Sequence, residues 1–237
     1  LFGTGGTLEF ASCLAGSTRN GPSPESLRGV AIGNNGDLYV VGLSSMTDFP
    51  VVNPIQGAKP VANQRIMTVS QIDPDTSTLV FSTYFGPTAE DLPPGSGSLM
   101  GLFPADIEVD SAGNIVVIGP GNSMSYPTLN ATQAKLAVPQ NTAQFRNGSF
   151  ASGAQDLFVP KLDPVAPGIV FSTFFGGSQA ENGFPSLTID ASNNIYVASW
   201  THSTDHPLLN PLQASLAGDG NLALAKFSPA GALAFST

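Results

Sequence analysis

The chain has 237 residues, of which 11% are charged, 26 are Gly and 20 are Pro, and its formal net charge is −9. This composition favours many short strands joined by tight turns, and a hydrophobic content of 41% argues against disorder. The negative charge argues against nucleic acid and anionic lipid surfaces as partners. One cysteine excludes a disulfide framework and a cysteine zinc site, and no apolar run is long enough for a membrane span.

One short block recurs four times along the chain. It occupies residues 8–12 (LEFAS), 79–83 (LVFST), 169–173 (IVFST) and 233–237 (LAFST). The copies are unequally spaced, which predicts a fixed core with loops of different lengths.

Two further blocks lie between the copies of the first. One consists of two apolar runs around a short polar turn and predicts a β-hairpin, with Gly36, Gly113 and Asn193 at the turn position that needs a positive φ. The other is an apolar run that ends at a proline, which blocks continuation of the strand. Each unit therefore predicts four antiparallel strands and no helix. In the first unit the strands are expected at about 27–32, 37–42, 66–72 and 79–85.

These blocks resemble the SBBP repeat, a propeller repeat of bacterial and archaeal surface proteins. The resemblance rests on residues 82–86 (STYFG), 172–177 (STFFGG), 110–114 (DSAGN), 46–50 (MTDFP) and 158–164 (FVPKLDP). It implies an all-β fold of β-propeller-type blades, export from the cell and no catalytic residues. A propeller ring normally needs four to eight blades. Three units are therefore expected to form part of a larger propeller or assembly.

We expect one β-propeller-repeat domain over residues 1–237. Its approximate units are 8–78, 79–168 and 169–232, followed by a partial strand at 233–237. Unit two carries a long insertion, at about 131–155, for which the sequence predicts no fold.

The two ends of the chain share one phase of the repeat. Residues 1–12 align without gaps to residues 226–237, and the sequence begins at Leu1 rather than Met. We therefore expect a processed chain or a piece of a longer one. An incomplete blade exposes unpaired backbone and an apolar face. Further blades of the same polypeptide are the first expected cover, and a neighbouring copy docked head to tail is the alternative. On this basis the free monomer is expected to be unstable.

His202 and His206 are four residues apart and could form a metal-binding pair. However, His206 aligns with Phe49 and Tyr126 of the other units, which favours a packing role for its ring. Cys13 could be a nucleophile, but it aligns with Tyr84 and an equivalent Phe, so we expect it to be buried and unreactive. No metal site, catalytic residue or cofactor is predicted.

Asp48 and Asp205 recur next to threonines and could bind calcium or a sugar. Ser125 replaces the aspartate in unit two, which favours a structural turn in which the side chain bonds the backbone two residues on.

The acidic residues near the outer strands could supply paired carboxylates for glycoside hydrolysis. They are Glu25, Glu90, Asp91 and Glu181, and solvated loop charges are the expected interpretation. Asn130 and Asn147 begin sequons in or beside the insertion and are candidate glycosylation sites.

The leading functional hypothesis is a non-enzymatic extracellular or cell-surface structural or scaffold protein, such as a filament or surface-layer subunit or an adhesin. The alternative is a propeller module that binds glycan or protein, with Phe145 and Phe150 as aromatic anchors. A propeller hydrolase or lyase is disfavoured, because two His and four Arg leave little material for a catalytic pocket.

Overall fold

The computed structural model describes residues 6, 8–17, 25–59, 65–88, 103–137 and 155–237. These residues form twelve strands in three four-stranded antiparallel sheets, and no helix occurs among them. The described ranges accordingly contain no helix with the length and apolarity of a membrane span. The expected all-β class with three four-stranded antiparallel units is confirmed.

The strands of each sheet follow chain order, and each strand is hydrogen-bonded to the next. Sheet 1 consists of β1 (Ser26–Ile32), β2 (Leu38–Ser44), β3 (Ile66–Asp73) and β4 (Thr78–Phe85). Sheet 2 consists of β5 (Asp106–Val109), β6 (Ile115–Gly121), β7 (Asp156–Asp163) and β8 (Gly168–Phe175). Sheet 3 consists of β9 (Glu181–Ile189), β10 (Ile195–Thr201), β11 (Asn221–Phe227) and β12 (Leu233–Ser236). The strands predicted for the first unit match β1 to β4 to within two residues.

The turn between the first two strands of each sheet has the predicted chemistry. Gly36, Gly113 and Asn193 have φ values of 85°, 86° and 61°, a conformation that glycine and asparagine tolerate best. In sheet 2, Oδ1 of Asp110 accepts hydrogen bonds from the backbone N–H groups of Ala112 and Asn114, both at 2.9 Å. These bonds hold the turn closed and set the register of the hairpin.

The Ser-Thr pair of the recurring block attaches a loop to the fourth strand. Ser82 Oγ donates to the carbonyl of Pro50 at 2.8 Å. Thr83 Oγ1 accepts the N–H groups of Ile55 and Gln56, at 3.0 and 2.9 Å. All three sheets repeat this attachment through the backbone bridges Val52–Ser82, Leu129–Ser172 and Leu209–Ser236. The loop between the second and third strands thus covers the edge of the fourth.

The sheets pack in series, with one apolar core between sheets 1 and 2 and a second between sheets 2 and 3. Each sheet has a forward face, which carries Tyr39 or its repeat equivalents, and an opposite rear face. The forward faces contain Tyr39, Val41, Met67 and Val69 in sheet 1, Val116, Ile118, Leu157 and Val159 in sheet 2, and Tyr196, Ala198, Leu222 and Leu224 in sheet 3. The rear faces contain Val30, Ile32, Val40 and Ile72 in sheet 1, Ile107, Val109, Val117 and Leu162 in sheet 2, and Leu187, Ile189, Val197 and Phe227 in sheet 3. Each core joins the forward face of one sheet to the rear face of the next.

Polar bonds also join sheets 2 and 3. Lys161 Nζ forms a buried ion pair with Asp110 at 2.7 Å and donates to the carbonyl of Pro229 in sheet 3 at 3.0 Å. Burial would by itself raise the pKa of Asp110, but hydrogen bonds from Lys161 and Asn114 lower that pKa below its usual value. The N–H of Leu187 donates to Oδ2 of Asp106 at 3.0 Å. These bonds fix the position of sheet 3 relative to sheet 2.

Candidate functional site

Two buried carboxyl groups meet where sheets 2 and 3 join. Asp156 begins β7, Glu181 begins β9, and both are inaccessible to solvent. Oδ2 of Asp156 accepts hydrogen bonds from Gln133 Nε2 at 2.6 Å and from the N–H of Ala137 at 2.8 Å. Oε1 of Glu181 accepts one from Thr201 Oγ1 at 2.9 Å. Both side chains are therefore held in one orientation.

The remaining oxygens, Asp156 Oδ1 and Glu181 Oε2, have no donor among the other described residues. Two ionised carboxylates can only accept hydrogen bonds, so a proton on one of them is needed for that group to donate to the other. Burial, together with the charge of Glu181, raises the pKa of Asp156 to about 8. A Cβ at position 176 would overlap both carboxyl groups, which explains the glycine there. This pair can hold one proton, and its complete burial prevents direct contact with a substrate.

His206 packs beside this pair, in the aromatic position that the repeat alignment gave it. Its ring is buried and lies edge-on to Phe175, with ring centroids 4.8 Å apart. Its Nδ1 lies 3.5 Å from Oε1 of Glu181. The predicted packing role of His206 is therefore confirmed.

His202 has different neighbours from His206. Its Nδ1 lies 2.6 Å from the carbonyl oxygen of Asp219, and its ring lies 6.2 Å from that of Trp200. Among the described residues, no three His, Cys, Asp or Glu side chains are grouped in a way that could hold a metal ion.

The interpretation of Glu25 and Glu181 as solvated loop charges is wrong. Glu25 is half-buried, and its Oε1 accepts a hydrogen bond from Ser44 Oγ at 2.6 Å. Ser44 and Thr201 both end the second strand of their sheet, so the two acids make the same contact in sheets 1 and 3. In sheets 1 and 3 the first strand starts next to or at this glutamate, which places its carboxylate beside the end of the second strand. Glu90 and Asp91 lie outside the described residues.

Asp48 and Asp205 both accept hydrogen bonds from the segment that precedes the first strand of their sheet. Asp48 accepts hydrogen bonds from the N–H and hydroxyl of Ser17, and Asp205 accepts the same two bonds from Ser178. At Ser125, the backbone carbonyl accepts the N–H of Thr88 instead. The structural interpretation is thus supported by different bonds from those expected. Hydrogen bonds from Ser178 lower the pKa of Asp205.

Asn130 occupies a structural position that recurs in every sheet. Asn53, Asn130 and Asn210 have φ values of 47°, 49° and 51°. The amide nitrogen of Asn130, to which a glycan would be linked, donates to the carbonyl of Val170 at 3.1 Å. Glycosylation would replace one of the two hydrogens on this nitrogen, so the glycan would have to fit beside the bond to Val170 that the other hydrogen can keep. The second candidate, Asn147, lies outside the described residues.

Cys13 is exposed, so the prediction of a buried cysteine is wrong. Its repeat equivalents are buried by loops of their own sheets, since Tyr84 packs on Phe49 and Phe174 packs on Tyr126. Cys13 corresponds to the end of a fourth strand, and the described residues include no first three strands to accompany it.

Exposed aromatic side chains occur on sheet 3. Phe184 of β9 is almost fully exposed, and Trp200 of β10 is about half-exposed. Phe145 and Phe150, the aromatic anchors predicted from the sequence, lie outside the described residues. Sequence reasoning missed Trp200, although its alternation with Ala198 and Tyr196 along one strand was a usable signal.

No protein-family model and no curated protein matches the chain. A crystal structure of a protein of unknown function from Bacteroides caccae is similar over 91% of this chain and 68% of that chain, with 12% sequence identity and a TM-score of 0.26. A TM-score this low supports no statement about function.

Proposed function

We propose that this chain is a non-enzymatic structural scaffold of the cell surface or extracellular space, built from propeller-type blades similar to SBBP repeats. The observation that carries the proposal is the repeated packing of forward face on rear face in both cores. The recurring polar residues, such as Ser82, Thr83 and Asn130, bond the protein's own backbone. Because these recurring side chains stabilise the protein's own sheets, the repeat is suited to building an extended structural surface.

The buried carboxyl pair also favours a non-catalytic role. Paired carboxylates that hydrolyse glycosides must flank a bound sugar. Asp156 and Glu181 are both inaccessible to solvent, and their neighbours Gln133 and Thr201 already bond them. These contacts favour a structural role for the pair at the junction of sheets 2 and 3.

Surface labelling tests this proposal. Antibodies raised against the folded chain should label intact cells of the source organism, and deleting the gene should remove that label. Labelling only after the cells are permeabilised would overturn the surface role.

A glycan- or protein-binding module is the second candidate. It is favoured by the exposed rings of Phe184 and Trp200 on one side of sheet 3, because aromatic side chains supply large contact area in binding surfaces. A glycan array probed with the native chain and with Trp200→Ala separates the two. Specific binding that is lost in the variant would favour the module.

A further inference from the structure

Among the described residues, the two outermost faces of the sheet series are apolar, and no other sheet packs on them. On the rear face of sheet 1, Val30 is 59% exposed and Ile32 is 65% exposed. Ile107, which is the equivalent of Val30 in sheet 2, is only 2% exposed. On the forward face of sheet 3, Leu222 is 62% exposed and Leu224 is 39% exposed, whereas their equivalents in sheet 2 are fully buried. Apolar faces of this kind mark interaction surfaces.

The open faces are the two halves of one interface that the chain already forms twice. Strand register makes Leu222 equivalent to Met67 and Leu157, both of which are buried in a core. In the same way, Val30 is equivalent to Ile107 and Leu187, which are buried in those cores from the other side. The forward face of sheet 3 therefore resembles the forward faces that already pack on rear faces in the two cores. The rear face of sheet 1 resembles the rear faces that receive them.

We propose that the forward face of sheet 3 docks on the rear face of sheet 1 of a second copy of this chain, so that copies associate head to tail. This inference rests on the proposed scaffold function and names its partner. The contact uses different patches on the two copies, so it is heterologous, and repeated contacts give a closed ring or a filament.

A lysine on the open forward face provides a polar complement to this contact. Lys161 in sheet 2 donates to the carbonyl of Pro229, which lies in the turn after the third strand of the next sheet. Lys226 holds the equivalent position in sheet 3, where its Nζ lies 5.0 Å from the centroid of the Tyr196 ring. The equivalent turn of sheet 1 contains Pro74. In the docked pair, Lys226 is expected to donate to the carbonyl of Pro74.

Segment 8–17 partly occupies the place that the incoming sheet needs. It forms one wall of a groove of about 420 Å³, whose other wall is the rear face of sheet 1. Ala11 aligns with Ser236, whose hydroxyl donates to the carbonyl of Pro207 at 2.7 Å. Ala11 lacks that hydroxyl, so residues 8–12 would make one hydrogen bond fewer than β12 in the incoming sheet. Strand β12 of the second copy is therefore expected to stay in place, and residues 8–12 to move aside.

The native chain contains its own probe for docking, because its single tryptophan, Trp200, lies on the open forward face. Sedimentation velocity over a concentration series should show a weight-average mass that at least doubles. The Trp200 emission maximum should shift to the blue over the same range, since docking removes its ring from water. A constant monomer mass with constant emission would overturn the proposal.

Two one-sided variants test the head-to-tail geometry. Leu222→Glu breaks only the forward face and Ile32→Glu breaks only the rear face, so each alone should weaken association at least about tenfold. A one-to-one mixture should form dimers, because each variant keeps the face that the other lacks. Val165→Glu, at an exposed turn outside both faces, is the matched control and should associate like the native chain.

These experiments distinguish head-to-tail association from symmetric association and from a monomer. Far-UV circular dichroism checks that each variant folds, and Leu222→Lys with Val30→Lys provides a second pair. Self-association without rescue in the mixture indicates a symmetric contact and overturns the head-to-tail geometry. A chain that labels the cell surface but stays monomeric would retain the scaffold function and overturn this inference.

Discussion

The Nζ of Lys161 lies 2.7 Å from Oδ2 of Asp110, and both side chains are buried between sheets 2 and 3. Lys226 holds the equivalent position in sheet 3, but no further sheet covers it among the described residues. The same residue type therefore occupies a closed and an open environment within one chain.

Replacing Lys161 by Met should destabilise the protein strongly, by about 3–5 kcal/mol, because it leaves the charge of Asp110 buried without a partner. Urea unfolding followed by circular dichroism measures the change. Lys226→Met is the matched control and should have a much smaller effect. Equal effects of the two substitutions would contradict the assigned role of the buried ion pair.

The Asp156–Glu181 pair should make stability depend on pH in the unusual direction for a carboxyl group. The folded state keeps a proton on Asp156 up to about pH 8, whereas an unfolded Asp releases it near its ordinary pKa of 3.8. Between these pH values the folded state binds more protons, so the free energy of unfolding should fall as pH rises. The stabilisation associated with this proton is complete below about pH 4 and is lost by about pH 8. Its slope is at most about 1.4 kcal/mol per pH unit.

Asp156→Asn provides the decisive comparison, since the amide keeps the shape of the side chain and does not titrate. The free energy of unfolding of this variant should vary less between pH 4.5 and pH 8 than that of the native chain. Asp219→Asn changes an exposed carboxylate and is the control. If the native and Asp156→Asn profiles were parallel, the shared proton would be disproved.

Thr83→Val should loosen the loop that covers the fourth strand of sheet 1. Valine keeps the volume of threonine but removes the oxygen that accepts the N–H groups of Ile55 and Gln56. The expected cost is about 1–3 kcal/mol. Hydrogen exchange should quicken at those two amides first. Thr78→Val, at the exposed start of the same strand, should change stability by less than about 0.5 kcal/mol and leave the amides protected.

The sequence was sufficient to predict the strands, because alternating apolar residues and turn residues recur three times and each copy supports the others. The bounds of β1 to β4 and the antiparallel hairpins followed from that pattern. The hydrogen bonds of Ser82 and Thr83 could not be predicted from that pattern. They join residues about thirty positions apart, whereas local sequence patterns report only on near neighbours in the chain.

The carboxyl pair could not be predicted for a related reason. Asp156 is equivalent to Ile66, so the alignment of the repeat suggested an apolar position rather than a charged one. Glu181 was interpreted as a solvated charge because it follows an outer strand in the sequence. Only the packing of sheet 2 on sheet 3 brings the two together.

Cys13 gives a direct test of how the region before sheet 1 is arranged. Its thiol is exposed, because residues 8–17 lie against sheet 1 without the loop that buries Tyr84 and Phe174 in complete sheets. An aromatic disulfide reagent should therefore label the native protein with one equivalent. The labelling rate should lie within roughly tenfold of the rate in denaturant, since accessibility and thiolate fraction govern this reaction. Cys13→Ser should take up no label and keep the native stability. Labelling that occurs only after unfolding would show that this segment is covered and would restore the burial expected from its position in the repeat.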